Sequence, residues 1–210
     1  MVDKKRIKPY TFCVNLIHTD NTERYASSMK KNSIKTVVAV GIGAALFFVL
    51  GRFVNIPSGI PNTNISVQYA ILGMLATMYG PVAGALIGFI GHTLIDLSWG
   101  GAPWWSWVLA STAVGAAVGF LGRKLPISEG VFGKKEIVSF AVINVIANVV
   151  AWLVIAPVLD IAIYAEPAAK VFAQGAMAAV ANSVTAVVIG ALLCAAYSKT
   201  IAGKGSLDAE

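Results

Sequence analysis

From residue 35 onward the chain is a succession of long apolar runs broken by short polar or Gly/Pro punctuation. Six runs stand out, at about 35–54, 66–79, 81–98, 104–122, 136–158 and 170–198. A helix needs about 20 apolar residues to cross about 30 Å of hydrocarbon. Each run therefore predicts a transmembrane helix, and the fold class expected is an all-α integral membrane protein, a six-transmembrane-helix bundle. The second run is short and is parted from the third only by Tyr79-Gly80-Pro81, so both are open to a tilted or partly re-entrant path. Residues 1–32 are polar and mixed in charge, with no sustained period. Met29-Lys-Lys-Asn-Ser directly precedes the first run and reads like a natural start. The preceding 28 residues are read as a poorly ordered N-terminal extension, with an amphipathic surface helix as the alternative. The organisation expected is thus an extension at 1–32, a six-helix membrane domain at 33–200 and a cytoplasmic tail at 201–210.

Small residues mark where the helices are expected to touch. The first run holds Ala39-Val-Gly41-Ile-Gly43-Ala-Ala45, in which Ala39/Gly43 and Gly41/Ala45 are both four apart. The third holds Gly80, Gly84 and Gly88 in register, and the fourth holds Ser111, Gly115 and Gly119. Such rows let helix backbones approach closely in lipid.

Composition agrees with the pattern. The chain is 57% hydrophobic and 12% charged, with a mean hydropathy of +0.75, whereas soluble domains carry about 25% charged residues. A net charge of +6 points to nucleic acid when it forms a surface patch. Here the basic residues sit at the ends of the apolar runs, so the charge is a topology signal and no nucleic-acid partner is expected. Eight basic residues precede or include Lys35; Arg123, Lys124, Lys134 and Lys135 follow the fourth run; Lys199 and Lys204 follow the sixth. Placing both termini in the cytoplasm leaves only Arg52 and Lys170 outside, which sets the orientation by the positive-inside rule. Cys13 and Cys194 lie in unrelated segments and imply neither a disulfide framework nor a metal site. No cleavable signal peptide is read, because the first apolar run begins only after residue 33 and is long enough to span.

The chemistry is concentrated between Gly88 and Trp107. His92 and Asp96 are four apart on one helix face, near one end of the third run. An ionisable group in lipid costs roughly 2.5–3.5 kcal/mol on insertion scales, so the pair points to a cavity, a buried partner or a ligand. Four of the five tryptophans, Trp99, Trp104, Trp105 and Trp107, follow at once. They fit an aromatic belt at the membrane interface, and equally the mouth of a ring-stacking ligand site. The uncharged connection at 55–66 carries Pro57 and Pro61, with Asn62, Asn64 and the nearby Gln68 offering amide donors and acceptors; it reads as a plain loop or as a structured loop closing over a ligand. On the fifth run Asn144, Asn148 and Trp152 share a face, and Gln174, Asn182 and Thr185 lie on the sixth. A ligand role is favoured for Asn148, Trp152 and Gln174, while Asn144 and Asn182 are read as helix-to-helix hydrogen bonds. Asp160 and Glu166 are placed in a solvated outer loop. The substrate-binding set expected is Asn62, Asn64, Gln68, His92, Asp96, Trp99, Asn148, Trp152 and Gln174.

What is missing narrows the function. There is no G-x-x-x-x-G-K-[ST] loop, H-E-x-x-H or G-x-S-x-G, and two histidines are too few for a metal cluster. No catalytic residue, metal or cofactor is expected. A proton-coupled secondary transporter using His92 and Asp96 as a relay is one alternative; an intramembrane enzyme is another, without a nucleophile–base pair at recognisable spacing.

From about Met29 to its C-terminus the chain resembles the substrate-binding S components of energy-coupling factor (ECF) vitamin transporters, in the group of hydroxymethylpyrimidine and riboflavin-transporter-like S components. The resemblance is carried by Lys35–Phe53 (KTVVAVGIGAALFFVLGRF), Ile60–Gln68 (IPNTNISVQ) and Gly91–Trp107. It implies a six-helix subunit of a bacterial cell membrane that captures a vitamin or precursor outside. It also implies partners: a transmembrane coupling (T) subunit and two cytoplasmic ATPases. Such S components carry an A-x-x-x-A docking row on the first helix; here that row reads Ala39-x-x-x-Gly43, with Gly41-x-x-x-Ala45 offset by two. Tryptophans, amides, His92 and Asp96 favour a small, planar, neutral or weakly basic heterocycle over a phosphorylated one. Hydroxymethylpyrimidine fits, and pyridoxine and riboflavin stay open.

Overall fold

The computed structural model describes residues 33–207, with side chains described to residue 202. Residues up to Val38 form one unit and those from Ala39 onward a second; of the first, only the opening of helix α1 is described. The extension expected at 1–32 lies outside the described residues. Helix α1 is Ser33–Phe53. A hairpin of β1 (Asn55–Pro57) and β2 (Asn64–Ser66) follows, then α2 (Gln68–Tyr79), α3 (Pro81–Ser98) and α4 (Trp105–Gly122). A 3₁₀ turn at Ile127–Glu129 leads to α5 (Lys134–Tyr164) and α6 (Ala168–Ala202), the latter continuing as helical backbone to Leu207. The tail expected at 201–210 is therefore helical over most of its length.

Five of these helices, α1 and α3 to α6, are long and apolar enough to cross a membrane. Helix α2 has 12 residues, about 18 Å at 1.5 Å per residue, and falls short of a hydrocarbon core of about 30 Å. Apolar around most of its circumference, it is buried among its neighbours: Tyr69, Ala70, Leu72, Gly73 and Ala76 are all enclosed, as expected when no face is polar. Gly80, in the left-handed region at φ 87°, turns the chain from α2 into α3, and Pro81 opens α3 where its missing N–H costs nothing. The outer faces of the long helices carry the exposed apolar side chains, among them Phe53, Val82, Val138, Val180 and Leu192.

The two glycine rows meet each other. Helices α3 and α4 run antiparallel so that Gly88 lies on the Ser111 carbonyl, Gly84 on Gly115, and Gly119 on Gly80. A Cβ added at Gly84 or Gly115 would collide with the partner's backbone oxygen. Close approach of this kind gains dispersion contacts where lipid supplies no hydrophobic drive.

Helix α5 overruns the expected end at 158 by six residues, reaching Tyr164. Pro157 removes an N–H and would clash with the carbonyl one turn back. A π-helical turn at Ala151–Ile155 widens the helix just before it, and the helix resumes at Ala156. Asp160 then lies inside the helix instead of in a loop, 2% exposed. At the other end Glu136 accepts the Gly133 N–H at 2.9 Å, covering the start of α5. A second π turn interrupts α6 at Ala186–Gly190.

Candidate functional site

Between the hairpin and helices α1 to α6 lies a cavity of about 870 Å³, within the range of small-molecule sites. An aromatic chain joins its walls. Tyr69 on α2 meets Phe47 edge-on at 5.4 Å and Trp152 at 5.8 Å, and Trp152 meets Trp107 at 5.1 Å. Phe47 has no exposed surface, while Tyr69, Trp107 and Trp152 each present an edge or face to the cavity.

The hairpin forms one wall. Its register pairs Asn55 with Ser66, Ile56 with Ile65 and Pro57 with Asn64. The turn is held internally: Ser58 Oγ donates to the Thr63 carbonyl at 2.6 Å, and Asn62 takes the left-handed conformation at φ 57°. Gln174 Nε2 donates to the Pro61 carbonyl at 2.8 Å, tying the tip to α6. The connection is thus a structured loop, and Asn62, Thr63, Asn64 and Ser66 line the cavity.

Helix α3 brings two ionisable groups, His92 and Asp96, to the cavity. His92 Nδ1 lies 2.5 Å from Ser111 Oγ, and the same hydroxyl is 2.7 Å from the Tyr69 hydroxyl. His92 Nε2 faces Asp96 Oδ1 at 3.7 Å, beyond hydrogen-bond length. With the proton on Nε2 toward the carboxylate, Ser111 donates to Nδ1 and accepts from Tyr69. That assignment satisfies three buried groups at once. Asp96 Oδ2 accepts the backbone N–H of Trp104 at 2.8 Å.

Asp160 is the group that sequence reasoning missed. It accepts three hydrogen bonds from the tryptophan turn: Trp104 Nε1 at 2.6 Å, Trp107 Nε1 at 2.9 Å and Ser106 Oγ. Trp104 stacks on Tyr164 at 4.1 Å, and the Tyr164 hydroxyl accepts the Trp105 N–H at 3.0 Å. The turn therefore docks onto the end of α5 through its polar edges, while its rings stay at the cavity and the rim. A signal was present in the sequence: Asn144, Asn148, Trp152, Ala156 and Asp160 recur every four residues, and all five are buried.

Of the nine residues expected to contact substrate, the structure places eight on the cavity: Asn62, Asn64, Gln68, His92, Asp96, Trp99, Trp152 and Gln174. Asn148 stands behind them. It is fully buried, accepts the Trp152 indole N–H at 3.2 Å and donates to the Asn144 carbonyl at 2.9 Å; its contact is with Trp152. Asn182, read as a helix-to-helix bond, lines the cavity. Glu166 and Lys170 also face it, paired at 2.8 Å. Trp99, 57% exposed, is covered by the Arg52 guanidinium at 3.8 Å.

The four small residues expected to dock on a coupling subunit divide into two faces. Ala39 and Gly43 are buried, and a Cβ on Gly43 would fall 2.7 Å from Ile87 and 2.8 Å from Leu75. Gly41 and Ala45 are exposed, and nothing lies within 4 Å of a Cβ built on Gly41.

A model of the "ECF-type riboflavin transporter, S component" family matches residues 31–199. The chain is 55% identical over 184 residues to a "UPF0397 protein" of Clostridium perfringens, covering 87% of this chain and 100% of that one. It is 51% identical over 181 residues to a "UPF0397 protein" of Lactobacillus johnsonii, covering 86% and 98%. A similarly named protein of Lactococcus lactis is 50% identical over 182 residues, covering 87% and 100%. No solved structure matches the chain. Five membrane-length helices among the described residues, together with a family match over most of the length, give one conclusion: the chain belongs to the ECF-type riboflavin transporter S component family and is a multi-pass membrane protein of the substrate-binding kind.

Proposed function

We propose that this S component captures a small vitamin or vitamin precursor from outside the cell, with hydroxymethylpyrimidine the first choice. It hands the ligand on by docking to a transmembrane coupling subunit served by two cytoplasmic ATPases. In this reading α2 counts as the sixth membrane element, enclosed by the other five, and both termini are cytoplasmic. That orientation follows the lysine and arginine placement and puts the cavity at the outer side. The observation that carries the reading is the cavity itself, where indoles, side-chain amides and carboxylates converge around a volume in the range of small-molecule sites. Asn62, Asn64, Gln68, His92, Asp96, Trp99, Trp152 and Gln174 are assigned to the ligand, with Asn148 acting through Trp152. For the coupling subunit the exposed pair Gly41 and Ala45 is favoured over Ala39 and Gly43, because only the former is uncovered on α1.

Riboflavin is the second reading, favoured by the description of the family whose model matches. Mass spectrometry of the small molecule that co-purifies with the detergent-solubilised protein tests the substrate. Uptake by cells or proteoliposomes with and without ATP and the coupling module tests the mechanism. A co-purified pyrimidine and ATP-dependent uptake support the proposal. ATP-independent uptake by this chain alone overturns it.

A further inference from the structure

Among the described residues three carboxylates face the cavity, on Asp96, Asp160 and Glu166, with one lysine, Lys170. Lys170 is committed to Glu166 at 2.8 Å. The other two carboxylates are held by neutral donors only: the Trp104 backbone N–H on Asp96, and two indoles and a hydroxyl on Asp160. The His92 ring faces Asp96 at 3.7 Å, and its other nitrogen is satisfied by Ser111. Arg52, beyond the lining, lies over the Trp99 ring. Neutral N–H groups stabilise a carboxylate without cancelling its field, so the enclosed space is left net negative. Low-dielectric walls strengthen that field.

Two further features bear on the occupant. Gln68 is 8% exposed and lines the cavity, and its side-chain oxygen has no hydrogen-bond partner. That oxygen is packed against Gly51 of α1, so the acceptors that the cavity offers are the carboxylates. The indoles of Trp107 and Trp152 also line the cavity, and the negative face of an indole attracts cations most strongly when both are desolvated. The Arg52–Trp99 stack is an instance of that contact at the rim.

We infer that the cavity takes its occupant as an organic cation: a small aromatic ring with a fixed or acquired positive charge and N–H donors, its charge read by Asp96 and Asp160. This rests on the capture reading above and narrows it. An anion meets two carboxylates; a neutral ring gains the stacking but leaves the field unused; a cation gains both.

The test uses two probes of nearly equal shape: 4-amino-5-hydroxymethyl-2-methylpyrimidine and its ring-N-methylated pyrimidinium salt. Both are titrated against the purified full-length protein by tryptophan fluorescence, at a pH where the former is uncharged. The pyrimidinium is expected to bind about tenfold or more tightly than the neutral ring, the lower end of the range for hydrogen bonds to charged groups. Asp160→Asn and, separately, Asp96→Asn should each weaken the cation about tenfold, and by more than they weaken the neutral probe. The comparison in the unmodified protein stands even where a variant fails to fold. Equal or tighter binding of the neutral ring overturns the inference and leaves the capture of a pyrimidine standing. Binding of neither probe overturns both.

Discussion

Trp104 holds Asp160 through its indole N–H at 2.6 Å and holds Asp96 through its backbone N–H at 2.8 Å. One residue thereby fixes two carboxylates that come from different helices, α3 and α5. Its ring stacks on Tyr164, so shape and hydrogen bonding can be separated by substitution. Trp104→Phe keeps the stacking and the backbone bond but removes a donor from Asp160. An acceptor that loses a buried partner costs about 1–3 kcal/mol, and thermal unfolding in detergent should show that loss. An unchanged unfolding temperature would mean that Ser106 and Trp107 satisfy Asp160 alone.

The Gly84–Gly115 contact gives a sharper effect. Gly115→Val should prevent folding or drive the protein to aggregate, because the added carbons meet the α3 backbone and not a flexible side chain. Gly41→Ala is the counterpart. Nothing lies within 4 Å of the new Cβ, so it should be neutral or raise stability by roughly 0.5–1 kcal/mol through helix propensity. Size-exclusion profiles and melting curves of the two variants decide the matter.

Coupling is expected to depend on the exposed row. Gly41→Leu or Ala45→Leu should abolish ATP-driven uptake and leave ligand affinity within about twofold, since the bulk lands outside the bundle. The sequence alone points to Gly43 for such a variant; its packing on Leu75 and Ile87 means that Gly43→Leu should lower binding and uptake together. Measuring both quantities for each variant distinguishes the rows. Loss of binding in Gly41→Leu would remove that residue from the docking surface.

Ser111 lies between the Tyr69 and His92 side chains. Ser111→Ala leaves a buried phenol and a buried imidazole without their shared partner. A destabilisation of about 1–3 kcal/mol is expected, with weaker binding of the pyrimidine probes as His92 loses its fixed orientation. Retention of both stability and affinity would show that the hydroxyl is dispensable.

Much of the architecture was legible because lipid imposes it: apolar runs must be helices, and glycines spaced by four must face something close. The rows of α3 and α4 could be read off as rows, though their pairing with one another depends on the antiparallel turn between them. The His92–Trp107 stretch was legible for the same reason, since charge and tryptophan are conspicuous in an apolar chain. Asp160 was not, because a lone acid after Pro157 looks like the end of a span. Steps of four overshoot an α-helical turn by about 40° each, so a row at 144, 148, 152, 156 and 160 should wind away from its face. The π turn at Ala151–Ile155, with its wider i→i+5 spacing, takes up part of that drift, and no residue type announces such a turn. Tyr69 escaped notice because aromatic residues in apolar runs are ordinarily core, and its hydroxyl finds Ser111 only after α2 and α4 pack together.

The backbone-to-backbone seam between α3 and α4 has a mechanical consequence. With no side chains between them along that row, the two helices have nothing to repack, and they move as one stiff strut. His92, Asp96, Trp104 and Trp107 ride on that strut or its connecting turn, so they form a fixed jaw. The hairpin, Gln174 and Asp160 form the other jaw. The bonds across the gap are those of Trp104, Ser106 and Trp107 to Asp160, each of a kind worth roughly 1.5–3 kcal/mol, and that of Trp105 to Tyr164, worth about 1 kcal/mol net. Three of these bonds end on one carboxylate, so separating the two jaws means breaking them together, with the strut left intact.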